Sequence, residues 1–233
     1  MIMQLLDKRR RHVLIDIDTQ RDFLLAEGHA CVWNHSEVLA NIRRVMAWAR
    51  HDDISIISTA EVRPNGFETK MGYCIDGTNG QRKIRYTLLQ ERASFPADDL
   101  NALPVDLLRA HRQIILHKRC ADPFEEPRIE RLLSEVRADE FILIGAAAEE
   151  AVKATALGLL HRGKNVTVVV DALGAHDRKE AKLAVRKMRA KGAVLISTRS
   201  LAGASHLRQV RACRCPKCRS TARVEPAEIE AER

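Results

Sequence analysis

The feature that most constrains this chain is an alternation. Short, nearly unbroken runs of branched apolar residues are separated by longer stretches with helical spacing. The runs are HVLIDID from His12, ISIIST from Ile54, QIILHK from Gln113, EFILIG from Glu140, NVTVVVDA from Asn165 and AVLIST from Ala193. Strands that are apolar on both faces must be covered on both faces, so the runs predict a parallel sheet between two helical layers. The segments between them supply the helices. They are SEVLANIRRVMAWARH, the short LPVDLLRAH, EEPRIERLLSEVR with Pro127 in its first turn, EEAVKATALGLLHRG closed by Gly163, and RKEAKLAVRKMRAKG. The expected fold is α/β and doubly wound, with a six-stranded, mostly parallel sheet and helices on both faces. It occupies residues 1–203, and residues 204–233 form a basic, cysteine-containing tail. A polar stretch with Gly66, Gly72, Gly77 and Gly80 breaks the alternation and is read as irregular, part of it a lid.

A chain of 233 residues with 45% hydrophobic content fills one domain and excludes wholesale disorder. Its net charge of +8 is read as a solvated basic surface. Aromatic residues are only 4%, too few for a base-stacking platform, so nucleic acid is not an expected partner. The start, MIMQLLDKRRRHVLID, has no signal-peptide pattern, and no apolar run reaches the ~18 residues of a membrane helix. The expectation is a soluble, cytoplasmic protein with its six cysteines reduced.

Ligands of doubly wound sheets bind beyond the carboxyl ends of the strands. Three segments put chemistry there. LIDIDTQRDF ends a strand with Asp16 and Asp18, then Gln20 and Asp22–Phe23. A partly buried carboxylate at that place can act as general acid or base, or it can simply cap the turn. HKRCADPF ends a strand with Lys118, either an anion contact or a rim lysine. GAAAEEAVKATALG carries a strand into a helix with alanines where a nucleophile would stand.

Together, DTQRDF, HKRCADPF and GAAAEEAVKATALGLLHRGKNVTVVVDALGAHD resemble the isochorismatase-like hydrolase superfamily in motif order and spacing, from about His12 to Arg199. The resemblance implies a Rossmann-like three-layer sandwich, with the catalytic aspartate at Asp18, the catalytic lysine at Lys118 and the cysteine nucleophile's position at Ala151. A methyl group cannot attack a carbonyl, so acyl-enzyme chemistry at Ala151 is closed. Cys74 and Cys120 are the cysteines a migrated nucleophile would use, and both read better as small buried hydrophobes. The resemblance further implies an oxyanion hole from the N–H groups of Ala147 and Ala151, with a cis bond between Ala146 and Ala147. The vinyl-ether-cleaving branch of the family also has a small residue at the nucleophile position. Here, however, Ala147 and Glu149 replace that branch's tyrosine and histidine, and Glu149 and Glu150 would disfavour a dianion if they faced the pocket. The family's metal-binding branch has ligands where this chain has Glu61 and Arg63; arginine ligates no metal, so no pocket metal is expected.

Three readings follow. The first is a hydrolase working through Asp18 and Lys118 without a thiol, on a small anionic or amide-like substrate. The second is a catalytically inactive ligand-binding or assembly protein. The third is a cysteine amidohydrolase whose nucleophile has been exchanged for alanine. A homo-oligomer and a small-molecule ligand are expected, with no membrane partner and no cofactor beyond a possible structural zinc in the tail. Cys213, Cys215 and Cys218, with His206, offer four ligands there.

Overall fold

The computed structural model describes residues 11–65, 72–97, 103–104 and 106–203. The tail cysteines and His206 lie outside the described residues. Seven strands form one sheet: β1 (His12–Ile17), β2 (Ser55–Glu61), β3 (Arg92–Phe95), β4 (Gln113–Lys118), β5 (Glu140–Gly145), β6 (Val166–Leu173) and β7 (Val194–Ile196). Their order is β3-β4-β2-β1-β5-β6-β7, and every pairing is parallel. The expected six strands are corrected to seven. The addition, RASF, is a short edge strand whose residues are only exposed or half-buried, so it needs no apolar run and leaves no apolar signature.

Alternation along β1 divides the core. Val13, Ile15 and Ile17 face one layer, with Phe141, Leu143, Ile129, Leu133, Leu159 and Met188. Leu14 faces the other, with Ile42, Met46, Ile56, Ile142 and Val169. The second layer is built on α1 (Arg21–Leu24), α2 (His35–His51) and, last among the described residues, α7 (Thr198–Ala202). The first is built on α3 (Leu107–Ala110), α4 (Pro127–Glu135), α5 (Lys153–His161) and α6 (Arg178–Ala190). Pro127 opens α4, the Asp177 carboxylate caps α6 by accepting from the N–H groups of Lys179 and Glu180, and Gly163 follows α5 with φ of +69°. No helix among the described residues is long and apolar enough to cross a membrane.

From β1 the chain runs to β2, then to β3 at the edge and back to β4 between them, and later to β5, β6 and β7 on the other side. The direction of winding therefore reverses between β1 and β5, and it is at the carboxyl ends beside such a reversal that doubly wound sheets bind their ligands. In the polar stretch, residues 72–90 are pinned rather than lid-like. Arg21 donates its N–H to Arg82 O, Asp22 to Gly80 O and Ile84 to Thr19 O, while Arg63 and Cys74 join in the same manner. A Cβ on Gly80 would sit 2.1 Å from the Asp22 carboxylate, so glycine there permits close approach rather than motion.

Candidate active site

Asp18 is the first residue beyond β1 and adopts φ of +46°, a left-handed conformation that aspartate tolerates better than most residues. The turn swings its carboxylate towards the ends of β2 and β4. Lys118, the last residue of β4, reaches past β2 to place Nζ 2.7 Å from Asp18 Oδ2. Both side chains are sealed, at 0% and 1% exposure. Thr59 on β2 donates its hydroxyl to Asp18 Oδ1 at 2.7 Å, and Lys118 also donates to the carbonyl of Cys120 at 2.9 Å. Asp18 is thus more than a turn cap, and Lys118 is not a rim lysine.

Glu61 ends β2, with its Cα paired to that of Lys118, and is buried. Burial raises its pKa, with the Asp18 charge adding to the rise and Lys118 and Arg63 opposing it. The Arg63 guanidinium lies 2.5 Å from Glu61 Oε1, donates to the Tyr73 hydroxyl at 2.8 Å and stacks 4.4 Å from that ring's centroid. Burial, with Glu61 next, pushes the Tyr73 hydroxyl up to about 12. A cation at the head of Glu61 does not fit a divalent metal there.

On the other side of β1, Gly145 ends β5 opposite Ile17, with φ of +126°. A Cβ at this glycine would fall 1.9 Å from the carbonyl oxygen of Ile17. The peptide bond between Ala146 and Ala147 is cis, as the family resemblance implies. A π-helical turn, Ala148–Val152, precedes α5, and Val152 donates its N–H to Ala147 O at 3.1 Å. Ala151 sits in this turn, 3% exposed, and its methyl joins the apolar cluster that includes Ile17 and Val152. Asp18 and Lys118 are therefore in direct contact, and Ala151 lies on the same carboxyl edge across β1.

The Glu149 carboxylate is tied to backbone. Its Oε1 accepts the N–H groups of His176 and Asp177, fastening the turn to the loop before α6. Neither candidate thiol is primed. Cys74 is buried, and desolvation followed by the charges of Glu61, Asp18 and Asp22 pushes its pKa well up. Burial and the nearby Glu126 and Glu125 push Cys120 up to about 11.

Other members of the site have partners that the sequence does not reveal. Gln20 spends its whole amide: Nε2 donates to Glu61 O and Gln81 O, and Oε1 accepts the Glu61 N–H, each at 2.7 Å. Lys83 forms a second buried ion pair, with Asp16, at 3.1 Å. An acid inside an otherwise apolar strand is a signal that a cation must come, but not from where. A cavity of about 740 Å³ lies at the opposite edge of the sheet, among Val13, Asp53, Leu107 and Arg131. It holds none of the strand-end charges, so the site belongs to the carboxyl edge despite the cavity's size.

No curated protein sequence matches the chain. The fold matches the pyrazinamidase of Pyrococcus horikoshii in complex with zinc at 20% identity, TM-score 0.62, over 80% of this chain and 99% of that one. It matches the N-carbamoylsarcosine amidase of Thermoplasma acidophilum at 19%, TM-score 0.59, over 81% and 96%. It also matches the MAR1 ribonuclease of Caenorhabditis elegans at 20%, TM-score 0.57, over 94% and 97%. At such identities the likeness is one of fold. The family model for the isochorismatase domain matches residues 12–200, and by that match this chain belongs to the isochorismatase family.

Proposed function

We propose that the protein is a hydrolase of small, uncharged amides that uses water in place of a thiol. The observation that carries this reading is the sealed Lys118–Asp18 pair at 2.7 Å. Removing two charges from water costs stability relative to apolar packing, so a retained pair favours a working proton site. An uncharged substrate is favoured over an anionic one because both cations are already matched. Lys118 has Asp18, and Arg63 has Glu61 at 2.5 Å, which leaves neither of these two cations unmatched for a dianion. Pyrazinamide, the amide in the name of one similar structure, is uncharged, which agrees with this choice.

In this scheme a water molecule takes the space that a sulfur on residue 151 would fill. Its oxygen bonds to the carbonyl carbon while its proton passes to the Asp18 carboxylate. The carbonyl electrons move onto oxygen, where the backbone N–H groups of Ala147 and Ala151 receive the charge. Collapse breaks the carbon–nitrogen bond, and the leaving nitrogen takes the proton back from Asp18. Lys118 keeps the carboxylate matched whenever it is ionised.

A second reading, a catalytically inactive binding protein, is favoured by the same burial: a pair at 0% and 1% exposure would serve as a purely structural clamp. Ammonia release from nicotinamide and pyrazinamide separates the two. The hydrolase reading expects release that Asp18→Asn abolishes. No release, or release that Asp18→Asn leaves unchanged, favours the inactive reading.

A further inference from the structure

Beside the Asp18–Lys118 pair lies a second buried ion pair that the scheme above leaves unused. Lys83 Nζ stands 3.1 Å from Asp16 Oδ2, with side-chain exposures of 4% and 0%. As a stability device the pair is poorly made. Asp16 Oδ1 is buried without a hydrogen bond, in a strand whose neighbours are Leu14, Ile15 and Ile17. An aliphatic pair would fill such a place at lower cost.

Its bonds lead towards Asp18. Lys83 Nζ donates to the carbonyl oxygen of Thr59 at 2.9 Å, and the Asp18 N–H donates to the same oxygen at 3.2 Å. Two donors fill both lone pairs of that carbonyl and fix the Thr59 peptide. The Thr59 hydroxyl then donates to Asp18 Oδ1 at 2.7 Å. Ser58, one residue earlier, donates to Asp16 Oδ2 at 2.8 Å and accepts from Gln113 Nε2 at 2.8 Å. The segment that carries Lys83 is itself tied to the residues around Asp18. Gln20 and Lys83 form a β-bridge, and Ile84 donates its N–H to Thr19 O. Asp18 meanwhile holds φ of +46°, an uncommon conformation that aspartate tolerates and that these bonds fix in place.

We propose that Lys83 and Asp16 are positioning residues: their ion pair clamps the Thr59 peptide, and Thr59 sets both the backbone and the carboxylate of Asp18. Lys118 supplies the charge opposite Asp18, whereas Lys83 fixes where that carboxylate points. The pair matters to catalysis only if Asp18 is the working proton carrier, and in that respect the inference rests on the proposed hydrolase reading.

The test is the charge-conserving double substitution Asp16→Asn with Lys83→Met in the full-length protein. Removing one charge of each sign keeps the local net charge, so what remains is the effect on Thr59. Amide hydrogen exchange followed by NMR reads the clamp without any substrate. The Asp18 amide is expected to exchange about tenfold faster while the Leu14 and Phe141 amides keep their protection. With nicotinamide, kcat for ammonia release should fall roughly 100-fold with little change in KM, the signature of a misplaced catalytic group. Loss of protection spread evenly through the sheet would mean a merely structural pair and would overturn the proposal. So would an Asp18 amide that exchanges as in the parent, or a kcat that does not change. A parent that releases no ammonia counts against the hydrolase reading alone, and hydrogen exchange still decides whether the clamp exists.

Discussion

The sealed pair allows a calculation that can fail. At 2.7 Å, with an effective dielectric of about 20, the attraction between Lys118 and Asp18 is about 6 kcal/mol before desolvation is charged against it. Lys118→Met leaves the carboxylate buried with the Thr59 hydroxyl as its remaining side-chain partner, and Asp18→Asn leaves the ammonium with the carbonyl of Cys120. Each single substitution should therefore destabilise the protein by about 3–5 kcal/mol, the range for breaking a buried pair. The double substitution removes both buried charges, so it should cost far less than the two singles together. Asparagine is chosen because it keeps the shape of Asp18 and also tolerates φ of +46°. Equilibrium unfolding in guanidinium chloride on the four proteins gives the coupling directly. A coupling near 3 kcal/mol or above supports a dry, poised pair. A coupling below about 1 kcal/mol, the range of exposed pairs, would show that water reaches both charges and would undo the argument built on their burial.

Ala151→Cys should place a thiol in the first turn of the helical segment Ala148–His161, beside the Asp18–Lys118 edge, with a pKa below the ordinary value of about 8.5. It should react with iodoacetamide faster than Cys74 or Cys120, and Lys118→Ala in that background should slow it; a thiol indifferent to Lys118 would mean a dismantled site. Gly145→Ala should cost at least about 2–3 kcal/mol in an unfolding titration, because it forces a Cβ to 1.9 Å from Ile17 O at φ of +126°. Gly163→Ala, with nothing within 4 Å, should cost only about 1 kcal/mol. Glu61, whose folded pKa is raised above its unfolded value, weakens the fold as pH rises from the unfolded value through the folded one. The stability of Glu61→Gln relative to the parent should therefore improve from pH 4 towards neutrality, and a flat difference would contradict the assigned burial. Protein ending at Gly203 should carry less than stoichiometric zinc by elemental analysis, since Arg63 stands at Glu61; stoichiometric metal there would refute that reading.

What was legible in the sequence is what a parallel sheet writes into it. β1, β2, β4, β5 and β6 are apolar on both faces, and their buried runs mark them. β3 and β7 are both edge strands with one neighbour; β7 keeps the apolar run Val194–Ile196, whereas RASF alternates exposed and half-buried residues and carries no such mark. Asp18 and Lys118 were readable because each stands where an apolar run stops. Glu149 was readable as a concern but not as a tether, because its partners are backbone N–H groups of His176 and Asp177, which any sequence supplies. Lys83 is one cation among 39 Lys and Arg residues, and only the threading of residues 80–84 beside Thr19–Arg21 selects it. Contacts made through loop backbone leave almost no trace in residue type.

The same geometry bears on what the alanine at position 151 changes. The polar bonds that hold Asp18 run through Asp16 on β1 itself and through Thr59, Lys118, Lys83 and Ser58 on strands or loops across β1 from Ala151. The turn that carries Ala151 is held by backbone bonds of its own, from Ala146 to Ile17 O, from Ala148 to Gly174 O and from Val152 to Ala147 O, with the Thr155 hydroxyl on Ala151 O. None of these bonds uses the side chain of residue 151. A methyl at that position therefore removes one kind of chemistry, attack by sulfur, and leaves the network around Asp18 and the backbone donors of the turn in place. A site that had decayed as a whole would show broken pairs and unbonded turns on both sides of β1. Buried polar atoms without a hydrogen bond do remain, among them Asp16 Oδ1, Asp18 Oδ2 and Glu149 Oε2, but the Asp18–Lys118 and Asp16–Lys83 pairs and the backbone bonds of the turn are all made.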